Sequence, residues 1–233
     1  MRIAVLSDVH ANLEALTTAL ERADALGAEH VVCLGDVVGY GPSPSEVVEI
    51  IRERADLVVL GNHDAAVATG EEIEVLPKDG QVAARKHREM LSDDDLAWLA
   101  SLPLTSERFG ATFAHAGPSH PEMWPRIETF GDAREQFTAF GTDLCFVGHS
   151  HKPAILSETL GVFRVRPGHR FLIDVGSVGQ PRDHDPRLSF ALWDTEEGTV
   201  GHVRAHYDHA MTERRIAKLG LPPSLGDRLR RGV

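Results

Sequence analysis

Ile3-Ala4-Val5-Leu6-Ser7-Asp8-Val9-His10 runs four apolar residues straight into a polar Asp-x-His cluster. Four apolar residues without alternation read as a strand buried on both faces, which puts Ser7 to His10 at its carboxyl end. Ala11–Gly27 follows as a helix, with Leu13, Leu16, Leu20 and Leu26 near helical spacing and Gly27 as its stop. The unit then repeats. A strand over Val31–Leu34 ends in Gly35-Asp36, and a short helix over Ser45–Arg54 comes after Pro42 and Pro44. A third strand, Leu57–Leu60, ends in Gly61-Asn62-His63-Asp64. A β-α-β-α-β order calls for parallel strands joined by right-handed crossovers.

Working outward from this core, residues 65–103 read as a helical insertion. Gln81–Leu91 is helical, and Ser92 caps a second helix with Asp93, Asp94 and Asp95 in its first turn, where carboxylates favour the positive helix end. Strands dominate from Thr105 onward: Arg108–Ala114, Leu144–Val147, Ala154–Leu156, Val162–Val165, Arg170–Val175, Leu188–Trp193 and Val200–Ala205. Met211–Leu219 reads as a closing helix, and Leu221–Val233, with two prolines and three arginines, as a surface tail. The expected organisation is one α/β domain over residues 1–219, its first half built on parallel units and its second half more antiparallel, with a tail over 220–233.

The 233 residues are 42% hydrophobic and 25% charged, an ordinary globular balance. No apolar run reaches the roughly 18–20 residues of a membrane span, and Ile3–Leu6 is too short for a signal-peptide core. A soluble, cytoplasmic protein is expected. The net charge of −11, from 35 acidic against 24 basic residues, repels a phosphate backbone at long range and argues against a stable nucleic-acid partner. Cys33 and Cys145 both sit in apolar runs and read as buried free thiols. The count of 13 histidines stands out.

Polar residues recur at five strand ends. Besides the three above, Phe113-Ala114-His115 ends one strand and Gly148-His149-Ser150-His151 follows another. In open α/β sheets, sites form outside the carboxyl ends of strands. Singly, an Asp-x-His pair also fits a helix cap and Gly-Asp a common turn. His149 and His151, two apart, can reach one ion from an extended loop. Together the five ends deliver Asp8, His10, Asp36, Asn62, His115, His149 and His151 to one edge.

With these blocks in this order, the chain resembles the calcineurin-like metallophosphoesterase superfamily, and within it a small bacterial and archaeal phosphodiesterase-like branch. The family pattern runs Asp-x-His, Gly-Asp, Gly-Asn-His-Asp/Glu, His, Gly-His-x-His, and all five blocks lie between Asp8 and His151. The resemblance implies an α/β sandwich of two mixed sheets flanked by helices, with a dimetal site at the carboxyl ends of the strands. It implies that Asp8, His10, Asp36 and His151 bind one divalent ion. Asp36, Asn62, His115 and His149 would bind a second, with Asp36 bridging. It further implies that His63 faces the substrate as proton donor or phosphate contact, its ring oriented by Asp64.

The chemistry agrees with that implication. Two divalent ions bring four positive charges, of which Asp8 and Asp36 neutralise two and a bridging hydroxide a third. The remainder attracts phosphate oxygens. Imidazole, carboxylate and amide ligands without thiolate suit manganese, iron, zinc or nickel.

Three further residues are candidate substrate contacts. Asn12 is placed either to reach the phosphate or to cap the first helix. Tyr40, in Gly39-Tyr40-Gly41-Pro42, either stacks on a nucleobase or packs its loop. It stands where the protein-phosphatase branch has an arginine that clamps a monoester. Arg182, in the loop after Gly176-Ser177, either contacts phosphate or pairs with Asp183 or Asp185. His169, His184, His202, His206 and His209 are assigned to the surface or the surroundings of the site, and Asp174 stands where family members often have asparagine, which argues against a role for its side chain.

The expected function is a metal-dependent hydrolase of a small phosphorylated substrate. A phosphodiesterase, or a nucleotide or dinucleoside polyphosphate hydrolase, is favoured. A phosphomonoesterase on the same site is the alternative, and a non-catalytic scaffold on this fold, like the retromer subunit, is disfavoured by the complete ligand set. A nuclease like the DNA-repair relatives is disfavoured by the short, acidic chain. Homo-oligomerisation is left open.

Overall fold

The computed structural model describes every residue except Phe163. In chain order the elements begin with β1 (Arg2–Leu6), α1 (Leu13–Ala25), β2 (His30–Cys33), α2 (Pro44–Arg54) and β3 (Leu57–Val58). Next come α3 (Asn62–Thr69), α4 (Lys78–Met90), α5 (Asp93–Ala100), β4 (Thr105–Arg108), β5 (Ala111–Ala114), α6 (Phe130–Gln136) and β6 (Leu144–Val147). The chain closes with β7 (Ala154–Ser157), β8 (Phe171–Asp174), β9 (Leu188–Asp194), β10 (Thr199–Ala205), α7 (His209–Leu219) and α8 (Pro223–Arg231).

Two five-stranded mixed sheets result, in the orders β10-β9-β1-β2-β3 and β4-β5-β6-β8-β7. β1, β2 and β3 run parallel, as do β5, β6 and β8; β9, β10, β4 and β7 are antiparallel to their neighbours. The period-2 geometry of a strand explains the layering. Ile3 and Val5 of β1 join Val32, Phe113, Phe146 and Ile173 in the core between the sheets. Ala4 and Leu6 face the other way, against Leu16, Leu20, Val47 and Ile51 of the covering helices. Both faces of β1 are buried, so its sequence carries no polar alternation until the strand ends at Ser7.

Ser92 caps α5 as its sequence predicts: its side chain accepts from the Asp95 amide, and Asp95 returns the bond in a capping box. Cys33 and Cys145 are buried free thiols. Among the described residues no helix is long and apolar enough to cross a membrane.

Three expectations need correction. The strand expected over Arg108–Ala114 is instead a hairpin, in which β4 pairs with β5 around Phe109-Gly110. Both turn residues have positive φ (55° and 82°), which a continuous strand cannot contain. The strand expected over Val162–Val165 includes Phe163, which lies outside the described residues, and Val162, Arg164 and Val165 are not in a strand. The surface tail over 220–233 is an ordered helix. Leu225 and Leu229 of α8, one turn apart, are 1% and 4% exposed and pack with Tyr40, Ala83, Ile216 and Leu221. Arginines at 228, 230 and 231 disguise this four-residue apolar spacing.

If α8 is part of the packed fold, Leu229→Ala should lower unfolding stability by about 2–5 kcal/mol, as for a core leucine. Val75→Ala, at a residue 81% exposed, should change it by less than about 0.5 kcal/mol. Urea denaturation of the two variants checks this; equal, negligible losses would return the segment to the surface.

Candidate metal centre

β1 and β2 end side by side, and their loops stay zipped beyond the sheet. Asp8 N–H donates to Gly35 O (3.0 Å), His10 N–H to Asp36 O (2.8 Å) and Ala11 N–H to Val37 O (2.9 Å). The loop after β8 joins them, with Gly179 N–H donating to Asp8 O at 2.9 Å. Within these turns Asp8, His10, Asp36, His149 and His151 all adopt left-handed backbone, with φ between 49° and 65°. Each non-glycine residue held so costs of order 1–3 kcal/mol. That five of them gather at the strand ends of both sheets marks a site that the surrounding structure over-determines.

Two glycines of the motif blocks are required by close approach. A Cβ at Gly61 would overlap the amide and carboxylate of Asp36, and one at Gly148 would meet Ser7 Oγ and Asp8 Oδ2.

The two carboxylates are divided in the same manner. Asp8 Oδ2 accepts the His149 amide (3.0 Å), and Asp36 Oδ1 accepts the His63 amide (2.8 Å). The second oxygen of each turns toward the histidines. Asp8 Oδ1 is buried with no hydrogen-bond partner and lies 3.1 Å from His151 Nε2. Asp36 Oδ2 lies 3.6 Å from His10 Nε2 and 3.4 Å from His115 Nε2.

The imidazoles are arranged to match. Nδ1 of His10, His115 and His151 faces the carbonyl of Val38 (3.1 Å), Leu34 (2.8 Å) and Gln180 (2.5 Å). A backbone carbonyl accepts only, so Nδ1 carries a proton in each ring and Nε2 is the nitrogen left to bind a metal. His10 Nε2 and His151 Nε2 are 3.3 Å apart, and Asn62 Oδ1 is 3.3 Å from His115 Nε2. Two groups thus have ligand atoms mutually within 4.8 Å: Asp8, His10 and His151, and Asp36, His115 and His149. Asn62 extends the second, and Asp36 Oδ2 lies between the two. Oxygen and imidazole donors, an orphaned buried carboxylate oxygen and Nε2 atoms aimed inward fit divalent cations.

The electrostatics agree. Burial pushes the His115 imidazole down, yet Asp36 and Asp8 more than offset it and hold it up at about 10. A proton is held where the carboxylates' field calls for a cation. Burial lowers His149 to about 3, with His115 pushing the same way.

The remaining expected residues divide. His63 is 4% exposed, with its ring 5.1 Å from His10 and 4.5 Å from Tyr40, and its Nδ1 has no partner. Asp64 does not orient that ring. Its carboxylate accepts from Val38 N–H (3.0 Å) and Gly61 N–H (3.2 Å), bracing the turn at the start of α3. Asn12 caps α1 by accepting from Ala15 N–H, and its amide donates to Gly179 O and Tyr207 OH. At 1% exposure both ends of the Asn12 side chain are occupied, so it is not a substrate contact. Tyr40 is 3% exposed, between His10 and His63 on one side and the α8 cluster on the other. No face is free for a nucleobase, so the packing role holds. Arg182 pairs with neither expected acid: Asp183 pairs with Arg204 and Asp185 with Arg187.

The structure gives supporting roles to Asp174, against which the sequence argued, and to His87, which the sequence did not single out. Asp174 accepts from Ser150 Oγ (2.6 Å) and Gly176 N–H (2.9 Å), pinning the loop that carries His149 and His151. His87 of α4, fully buried, accepts the Gly39 amide at Nδ1 (3.1 Å) and donates from Nε2 to Gly41 O (2.8 Å), clamping the Tyr40 loop. Helical spacing alone marked His87 as one more position on a helix. Only the tertiary contact reveals the clamp.

Residues 1–198 match the model of the calcineurin-like phosphoesterase superfamily domain. An uncharacterised protein of Methanocaldococcus jannaschii is 39% identical over 237 residues, covering 97% of this chain and 96% of that one. The crystal structure of a metallophosphoesterase from Sphaerobacter thermophilus superposes with a TM-score of 0.88 at 37% identity, over 100% of this chain and 99% of that one. A hypothetical protein from Pyrococcus horikoshii OT3 shares the fold, with a TM-score of 0.84 at 22% identity over 100% and 98% of the two chains.

His87→Ala would leave a buried N–H and a buried carbonyl unpaired, each costing about 1–3 kcal/mol. Burial holds the folded-state His87 imidazole down at about 4, against an ordinary 6.5. As pH falls from 6.5 toward 4 the unfolded chain takes up this proton first, so the wild type loses stability across that window. The alanine variant should be less stable at pH 7 and should lose less on going to pH 4.5, by urea denaturation at both values. Parallel losses in the two proteins would contradict the clamp.

Proposed function

Because this chain belongs to the calcineurin-like phosphoesterase superfamily, and because Asp36 Oδ2 stands between two convergent sets of inward-facing histidines, we propose that it hydrolyses phosphate esters at a two-cation centre. Phosphodiesters or nucleotide anhydrides are the favoured substrates. The observation that carries this reading is the position of Asp36 Oδ2, 3.6 Å from His10 Nε2 and 3.4 Å from His115 Nε2. Asp8, His10, Asp36 and His151 would hold one ion, and Asp36, Asn62, His115 and His149 the other. Two divalent ions held there would supply Lewis acidity toward a phosphoryl oxygen and lower the pKa of the attacking water to near neutrality.

The chain's own residues supply positioning and proton handling. Asp8 and Asp36 each keep one oxygen on a backbone amide and so present the other at a fixed angle. The carbonyls of Val38, Leu34 and Gln180 fix the ring orientation of His10, His115 and His151. His63 has its backbone amide tied to Asp36 and an unpartnered Nδ1. Burial lowers it to about 4, against the pull of Asp36. An anionic phosphoryl group beside it raises its proton affinity again, which suits it to donate a proton to the leaving oxygen. The monoester-clamping arginine of the protein-phosphatase branch is replaced by Tyr40, which is turned into the core. That favours a substrate with less charge on the attacked phosphorus.

Manganese-reloaded protein should bind two equivalents of metal and hydrolyse bis(p-nitrophenyl) phosphate. Asp36→Asn should lose full occupancy of both sites, by elemental analysis after desalting. Two fully occupied sites in that variant would refute the bridging role. His63→Ala should retain both metals and lose about 10²–10⁴-fold in turnover of an unactivated ester. Unchanged turnover would remove His63 from the reaction, and metal binding without turnover of any phosphate ester would favour a scaffold.

A further inference from the structure

Two arginines from distant parts of the chain converge beside this centre without an acidic partner. Arg182, in the loop after β8, donates from Nη2 (2.8 Å) and Nε (3.3 Å) to Gln180 Oε1, and Arg228 of α8 approaches the same oxygen from Nη1 at 3.4 Å. Both guanidinium groups lie over the Tyr40 ring, 5.5 and 5.9 Å from its centroid. The same ring borders the metal centre: Tyr40 is 4.8 Å from His10 and 4.5 Å from His63. Gln180 is 2% exposed, and its backbone carbonyl is the one that orients His151. One buried residue therefore sets both a candidate ligand and the arginine pair.

The pairing is unusual in its charge. This chain has 35 acidic residues against 24 basic ones, and the neighbouring Arg187 and Arg204 are each matched with an aspartate. Among the described residues neither Arg182 nor Arg228 has a carboxylate within ion-pair distance. A guanidinium has five N–H donors, and together these two direct three contacts at a single neutral amide oxygen. Like charges held together repel, and burial with Arg182 nearby pushes the Arg228 guanidinium down from its ordinary value. Such a pair is satisfied by a multivalent oxyanion, which planar guanidinium groups bind bidentately.

We propose that Arg182 and Arg228 form a subsite for a second, non-reacting phosphoryl group, so that the substrate class is a phosphoanhydride with at least two linked phosphoryl groups. This rests on the phosphoesterase reading given above and specifies its substrate. Tyr40 touches both the guanidinium groups and the histidines, so the arginine pair lies beside the metal centre, where a phosphoryl group linked to the reacting one would fall. In hydrolysis, water would form the new P–O bond at the phosphorus placed beside His10 and His63, and the bond to the bridging oxygen would break. That oxygen leaves with the electron pair as part of the second phosphate and takes a proton. A proton of the attacking water returns to solvent, so charge and atoms balance. Arg182 and Arg228 meet the negative charge that develops on the departing phosphate. Arg228 comes from the segment whose sequence reads as a tail, which closes the fold by completing this subsite.

The test compares methylenediphosphonate, whose two phosphoryl-like groups cannot be hydrolysed apart, with methylphosphonate. Each is titrated calorimetrically into manganese-loaded protein. The wild type should bind the diphosphonate at least about tenfold more tightly than the monophosphonate. Arg182→Gln and Arg228→Gln should each reduce that ratio about tenfold or more, the worth of a lost charge-assisted hydrogen bond. Melting temperatures establish that each variant is folded, and because the two lie on different elements, one failing to fold leaves the other decisive. A ratio within about twofold of wild type in the folded variants overturns the subsite. Hydrolysis of bis(p-nitrophenyl) phosphate by the wild type separates the two readings. Turnover with an unchanged ratio removes the subsite alone, whereas no turnover and no binding of either phosphonate removes both.

Discussion

Two carboxylates buried at the ends of neighbouring parallel strands impose the order of everything around them. Asp8 and Asp36 are 0% and 1% exposed, and an ionised carboxylate without compensation in such surroundings costs several kcal/mol. Backbone amides satisfy one oxygen of each. The other two oxygens are satisfied only by positive charge, and the rest of the edge is built to bring it. Strands β1, β2, β5 and β6 stop at one level, their loops turn through left-handed backbone, and carbonyls rotate three imidazoles to face inward. The strain in those turns is tolerated because the zipped loops and the two-layered core on either side of β1 leave them no alternative.

The supports of the centre lie outside the polar blocks that carry its candidate ligands. His87 in the helical insertion fixes the Tyr40 loop, and Asp174 fixes the loop after β6. Gln180 fixes His151, while α8 packs its leucines under Tyr40. The insertion and the C-terminal helix thus form one wall of the site through a single aromatic residue. Tyr40 transmits their packing to His10 and His63, which explains why a tyrosine stands where the protein-phosphatase branch places a charged clamp.

The sequence carried the parallel first half plainly, because strands buried on both faces and helices with one apolar stripe have distinct periods. It also carried the convergence of the five polar blocks, since consecutive parallel strands deliver their ends to one edge. Other features were hidden for identifiable reasons. In α8, Leu225 and Leu229 are outnumbered by polar neighbours, so the apolar stripe is only two residues long. The Phe109-Gly110 turn sits inside what scans as one continuous strand. Asp64 follows His63 directly and invites a pairing, but the first turn of α3 directs its carboxylate to the backbone. Asn12 and Tyr40 each had a structural and a functional reading, and burial decides for the structural one. Arg182 gained a partner, Arg228, that no linear spacing relates to it.

The central claim is that Asp36 joins two cation sites. Crystals grown with manganese and measured at an X-ray energy where that metal scatters anomalously test it most directly. The account predicts two anomalous peaks flanking Asp36, one among Asp8, His10 and His151 and one among Asn62, His115 and His149. A single peak, or two peaks of which neither touches Asp36, would contradict it.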